Sequence, residues 1–436
     1  MLLISTPFVK LAQAQARILG MPQVPTVVLP HPIGGTPLDG VLAKVDAAFD
    51  EIVAKLTSPL PQASAVASEP LPEPVDHVDV DTDDEWGELQ RRMLALGWGD
   101  GLPLVPPTDA RVDAMVRGAG LPGDALVALV APRMGACTVR RLASSAVMAG
   151  CRPAHMPLLV AAVRAMAERP FNLYGVQTTT HPVAPLVIVN GPLAQALGVH
   201  AGSGLFGPGP WSNGVIGRAV RLVLLHVGGG QPVDIDKATM GSPAKYGYCI
   251  AENEAASPWP SLAAERGFAA DVSTVTVVGG EAPHNINDHE STRAGPLLAM
   301  ITGTVAQTGQ NNVYYAGEPL LLLSPEHAAT IAAEGFSKDD VRRVIYEEAR
   351  VPLRRFSQEN IERRFWRKFP KRYRDRSLDA GVTVAQRWED VMVVVAGGAG
   401  KHSMYVPTFG ATRSVTLPVL KADGSPWRPQ DGLEQG

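Results

Sequence analysis

Cysteine is scarce in this chain: three residues among 436, Cys137, Cys151 and Cys249. So few thiols over such a length exclude a disulfide framework. The Cys137–Cys151 spacing is neither a Cys-x-x-Cys redox pair nor a metal pattern. A reducing, cytoplasmic compartment is the default expectation. A basic excess is missing as well. The formal net charge of -4 gives no electrostatic reason to expect nucleic acid. Long apolar runs are absent: stretches such as Val220–Val227 fall far below the roughly 20 residues that a membrane-spanning helix takes. Met1–Ile4 is too short, and lacks the basic flank, for a signal peptide. No His-Glu-x-x-His zinc motif and no strict phosphate-binding loop occurs.

What is present is ordinary for a soluble globular chain: 45% hydrophobic and 19% charged residues, enough for two or three domains. With 43 Gly and 38 Pro, many turns are expected between elements. Residues 1–56 read as a small partial α/β module. A helix-type stretch runs Thr6–Gly20, a strand Val24–Pro30, a loop His31-Pro-Ile-Gly-Gly35 and a helix Leu38–Leu56, with no opening strand. Residues 57–84 are rich in Pro, Ala and Ser and then acidic, the composition of a solvated tether. The main domain is expected over 85–418, followed by a polar tail at 419–436, frayed from Ala422. Within the main domain, apolar strand-like runs (Leu126–Ala131, Leu186–Asn190, Val272–Gly279, Pro319–Ser324, Val391–Ala396) alternate with helical patterns. The helices are Trp86–Leu96, Thr138–Ala149, Met156–Glu168, Asn213–Val227, Thr292–Thr308, Pro325–Glu334 and Lys338–Arg350. Ser324 and Ser337 stand where N-caps belong. The pattern predicts an α/β fold, a mostly parallel or mixed sheet with helices on both faces.

Candidate chemistry concentrates in the Gly- and Pro-rich stretch Gly175–Glu254, where loops leave polar groups free to meet a ligand. A glycine-rich loop opens the helix carrying Asn213 and Arg218, an arrangement suited to an anion. Thr179, Lys237, Lys401 and His402 join these as substrate-binding candidates. Val391–Lys401 reads as strand, glycine loop and lysine. It departs from a phosphate-binding loop, with Val395 at the first glycine position and His402 at the Ser/Thr position. Cys137, before the helix that begins at Thr138 and among Arg133, Arg140 and Arg141, is the expected thiolate. Cys249, on a short strand after Tyr246 and Tyr248, is the second thiol candidate. His181 is the acid–base candidate, with Glu252 as its partner in non-redox chemistry. His284, Asp288 and His289 could hold a divalent metal, although their spacing fits no short zinc motif and an ordinary polar loop competes with that reading. The basic, aromatic stretch Arg342–Arg376 suits a solvated surface or subunit contact better than nucleic acid.

The Thr6-Pro-Phe start, the Ala-rich helix and Pro30-His-Pro-Ile-Gly-Gly35 resemble the C-terminal half of the UGSC-type (seleno)protein module. Trp98–Pro107, Ala146–Cys151, Gly175–Thr180, Asp236–Glu254 and Gly397–Gly410 resemble the larger partner domain of fused members. In that family a selenocysteine- or cysteine-Gly-Ser-Cys motif carries redox chemistry, and no such motif occurs here. Because a selenocysteine codon is easily read as a stop, the resemblance raises the hypothesis that Met1 is a misplaced start, and leaves the native start open. The residues and the resemblance together lead to the expectation of a thiol- or selenol-dependent oxidoreductase acting on a small anionic substrate, with a thiol reductant as a possible partner. Homo-oligomerisation is the base expectation for a large α/β enzyme. The alternatives are a lyase or hydrolase using His181 with Glu252 or a divalent metal, and a non-catalytic partner of a redox protein. No cofactor is assigned; a divalent metal stays open.

Overall fold

The computed structural model describes residues 1–59, 84–374 and 376–431. Most of the expected tether at 57–84 lies outside these. In chain order the strands are β1 (Leu2–Ser5), β2 (Thr26–Leu29), β3 (Leu126–Val130), β4 (Gly135–Thr138), β5 (Ala184–Asn190), β6 (Cys249–Ala251) and β7 (Thr274–Gly280). They continue with β8 (His284–Asn287), β9 (Leu320–Leu323), β10 (Arg350–Pro352), β11 (Gly381–Thr383), β12 (Met392–Val395), β13 (His402–Val406) and β14 (Val415–Pro418).

Two four-stranded mixed sheets form the centre, in the orders β14-β7-β5-β6 and β12-β9-β13-β8. The pairs β5–β6 and β12–β9 are parallel and the remaining pairs antiparallel. The period-2 alternation of a strand explains the layering. On β5, Val187 and Val189 face a helical layer, while Leu186 and Ile188 face the second sheet. On β9, Leu320 and Leu322 meet the first sheet, while Leu321 and Leu323 meet the other helices. The order is helices, sheet, sheet, helices. The α/β class therefore holds, with helices on the two outer faces of a sheet pair rather than on both faces of one sheet. Helices Val139–Ala149, Met156–Ala167 and Trp211–His226 build the first outer layer, and Ala294–Val305, Pro325–Ala332 and Lys338–Glu348 the second. Since both faces of the central strands are buried, their sequences are largely apolar, Thr274, Thr276 and Asn190 being the exceptions in β7 and β5.

Local signals behave as their chemistry dictates. Ser324 Oγ accepts from the His327 N–H, and Ser337 and Asp340 form a reciprocal capping box. Gly150 ends the helix Val139–Ala149 at φ 89°, where only glycine is unstrained.

Several expectations need correction. The N-terminal module does have an opening strand: β1 pairs in parallel with β2, Leu2 opposite Thr26. The helix expected over Leu38–Leu56 is two, Leu38–Ala47 and Phe49–Thr57, broken at Ala48. The loop after β7 contains β8, which joins the second sheet. The chain beyond β14 does not fray at once: Val419 is fully buried, and Trp427 packs over Gly120 against the first core.

The inter-sheet layer is a fully buried apolar core joining the two sheets. Ile188→Ala, at a fully buried site between the sheets, is expected to cost about 2–5 kcal/mol in urea unfolding. Leu19→Ala, on the exposed surface of the N-terminal module, is expected to stay within about 0.5 kcal/mol.

Candidate functional site

The helix Trp211–His226 projects Arg221 into a cleft of about 1070 Å3 and, through Arg218, holds Asp100 in its wall. The opposite wall is the segment that follows, which returns as a loop through Asp236, Lys237, Met240 and Lys245. That loop is set by its own backbone. The Asp236 N–H donates to Gln231 O, and Asp236 Oδ1 accepts from the Ala238 N–H. Asp236 Oδ2 then accepts from Lys245 Nζ at 2.6 Å and from Arg221 Nη2 at 3.3 Å. Arg221 is 8% exposed and Asp236 6%. Burial lowers the pKa of both Arg221 and Lys245, and the Asp236 carboxylate only partly restores it.

A second carboxylate in the wall is already neutralised. Asp100 is held by Arg218 in a two-pronged pair, Nε to Oδ2 at 2.8 Å and Nη2 to Oδ1 at 2.9 Å. Burial works to raise the Asp100 carboxyl, but the Arg218 hydrogen bonds and charge hold it below its usual value. Arg218 is thus a fastener of the Trp98–Leu102 loop and not a free anion binder. Lys237 Nζ donates to Val233 O at the exposed rim. Excluding the Arg218–Asp100 pair, three cations (Arg221, Lys237 and Lys245) face one carboxylate. Of these, the sequence pattern singled out Lys237 alone. It missed Asp236 and Lys245 as a pair, although both lie in the Gly-rich stretch.

His181 lies beyond the same loop. Thr239 donates to Thr180 O, and Thr179 Oγ1 accepts from the His181 N–H, so Thr179 shapes the turn that presents the ring. His181 Nε2 sits 2.6 Å from Glu281 Oε1, and the ring stacks on Phe409 at 5.4 Å. Its Nδ1 is buried with no hydrogen-bond partner among the described residues. Tyr248 donates its hydroxyl to Glu281 O at 2.9 Å and fixes that end of β7. The partner of His181 is therefore Glu281, which no local motif signals, and not Glu252. Glu252 is buried at the end of β6. Its Oε2 accepts from Asn190 Nδ2 and the Leu262 N–H, and Lys338 Nζ lies 3.6 Å from Oε1. Burial raises its pKa.

The remaining candidates are occupied. Asn213 is buried, accepting from the His200 N–H and donating to His200 O and Leu205 O, which pins the Gly-rich loop. Lys401 donates to His289 O and Ser291 O, and the Gly400 N–H donates to a carboxylate, Glu326 Oε1. An acid on the glycine loop disfavours an anion there. His402 reaches His289 at 3.1 Å and Asn285 at 3.1 Å. Asp288 Oδ1 caps the Glu290 and Ser291 N–H groups. Because His284 pairs opposite Tyr405 while His289 turns to His402, the trio His284, Asp288 and His289 does not assemble. Among the described residues no three His, Cys, Asp or Glu side chains converge as metal ligands.

The thiols correct another expectation. Cys137 lies inside β4, one residue before the N-cap Thr138, and is fully buried. Burial pushes its thiol up to about 12, and Arg141 only weakly opposes this. Burial raises Cys151 and Cys249 further still. Desolvation outweighs the helix terminus and the arginines.

Residues 1–58 match the family model described as UGSC family. The N-terminal module is therefore of UGSC type; the match does not extend into the main body. No curated protein and no solved structure matches the chain. No helix among the described residues is long and apolar enough to cross a membrane.

Buried, protonated thiols give a direct expectation. At pH 8, iodoacetamide labels Cys137 and Cys249 only after denaturation, as read by intact mass and peptide mapping. Native labelling of Cys137 at the rate of a free thiol would contradict the burial account.

Proposed function

We propose that the chain binds a small anion in the cleft walled by Arg221, Lys237 and Lys245, and serves thiol- or selenol-dependent redox chemistry on that molecule. The observation that carries this reading is the charge imbalance: with Asp100 taken up by Arg218, three lining cations meet one remaining carboxylate, and two of the cations are desolvated. An anion entering there gains charge-assisted hydrogen bonds from groups whose hydration is already lost. The redox half of the proposal is supported by the UGSC match at residues 1–58. Two contacts tie that module to the cleft: Pro7 lies on the wall, and Lys10 pairs with Asp234 at 2.5 Å on the same loop. In this reading the electron-carrying thiol or selenol is none of Cys137, Cys151 and Cys249. It belongs to another UGSC-type segment or to the reductant.

A second reading, lyase or hydrolase chemistry, is favoured by one observation, the His181–Glu281 pair at 2.6 Å. A carboxylate on one ring nitrogen fixes the orientation of the ring, the arrangement a general base uses. Turnover that needs no thiol and is lost in His181→Asn would favour this second reading over the redox one.

The anion cleft is tested by calorimetry with acetate and sulfate as probes. Arg221→Gln and Lys245→Gln are each expected to weaken binding about 10- to 100-fold, the loss of one charge-assisted hydrogen bond. Arg293→Gln, an exposed arginine elsewhere, is expected to change nothing. Equal binding by all three variants would overturn the assignment.

A further inference from the structure

We infer that the cleft takes a small monocarboxylate with an apolar body, its carboxylate on Arg221 and Lys245 and its hydrocarbon against Val233, Met240 and Tyr246. This inference rests on the anion reading above and names the ligand class for that site.

The head group follows from charge and geometry. In the buried part of the cleft, Arg218, Arg221 and Lys245 stand against Asp100 and Asp236, which leaves one positive charge over. Lys237 is at the rim, engaged with Val233 O. A single negative charge balances the buried set, whereas a dianionic phosphate would bring one charge too many into a poorly hydrated place. The shape of the donors agrees. Arg221 makes one long hydrogen bond, Nη2 to Asp236, among the described residues. The rest of its planar fork is left for a bidentate carboxylate.

The apolar body follows from the mouth. Val233 is 82% exposed, Met240 90% and Tyr246 52%, and all three line the cleft together with Leu225 and Pro7. Large apolar side chains left in water around a charged floor are the signature of a ligand-binding groove. The loop that carries them is held at a conformational cost. Val233, a β-branched residue, sits at φ 70°, a region such side chains rarely adopt. Strain of this kind persists where the surroundings impose it and gathers at ligand clamps. Here the Val233 N–H donates to Asp236 O and Val233 O accepts from Lys237. The strained residue is thereby tied to the same turn that sets the Asp236 carboxylate. One turn thus positions both the charged floor and the apolar rim.

The test is calorimetric titration of the full chain with acetate, butyrate, hexanoate, inorganic phosphate and sulfate. The expected result is affinity rising roughly three- to four-fold per methylene from acetate to hexanoate, the value of burying one CH2, with hexanoate above phosphate and sulfate. Met240→Ser and Val233→Ser, both at exposed positions where folding is not at risk, are expected to flatten that dependence on chain length. Arg221→Gln is expected to weaken the whole series. A flat carboxylate series, or phosphate binding more tightly than hexanoate, overturns the ligand class while leaving the anion cleft standing. Absence of binding by every anion overturns both.

Discussion

The face-to-face packing of the two sheets is the constraint on which the molecule depends. Ala184, Leu186 and Ile188 on one side meet Leu320, Leu322, Met392 and Val394 on the other. Each sheet thereby has only one face left for helices, and the helices must divide into two outer layers. The helix Trp211–His226 lies in the first layer, with Ile216, Leu222 and Val223 in the core. The same register turns Arg218 and Arg221 to its flank, where the chain folds back as the Asp236–Lys245 loop. Ala184, Pro185, Arg221, Lys245 and Tyr248 line a small crevice between β5 and that loop. The cleft is thus a consequence of how the first sheet seats its helix.

Two buried charge clusters in the same fold differ in a way that decides which is open to a ligand. At the carboxyl ends of β5 and β6, Glu252 and Glu265 are met by Lys338 and Arg342, with Asn190 and the Leu262 N–H supplying hydrogen bonds. That cluster has no positive charge to spare, since Glu254 and Asp339 add to its acids, and such a network fixes structure. Around Asp236 the charges do not balance. Two desolvated cations share one carboxylate oxygen, and the third cation stands at the rim. Burial costs the same kind of free energy in both places, but only the second cluster has something to gain from an incoming anion.

The central strands were readable, even when short, where burial on both faces makes them an unbroken apolar run, as in Leu186–Val189 and Leu320–Leu323. The helices were readable from their period and caps, as at Ser324 and Ser337. Strands of three to five residues, such as β8 and β13, carry too few residues to show a period, and β8 is polar because three of its four residues are exposed. Its existence matters: it draws His284 into a sheet and away from His289. Cys137 shows another limit. Its place beside a helix start and near arginines was visible in the sequence, but its burial, which reverses the pKa, was not. For His181 the residue was legible and the partner was not, since Glu281 lies a hundred positions away. Asp236 and Lys245 lay in the stretch marked by its Gly and Pro content, yet their pairing with Arg221 is a product of the loop's return.

The central claim is that the unbalanced cations at Arg221 and Lys245 are the ligand site. Crystallographic location of 4-bromobenzoate by the anomalous scattering of its bromine tests it most directly. The account predicts the carboxylate on Arg221 and Lys245, with the bromine toward Val233 and Met240. A bromine peak elsewhere on the molecule, with the cleft unoccupied, would contradict it.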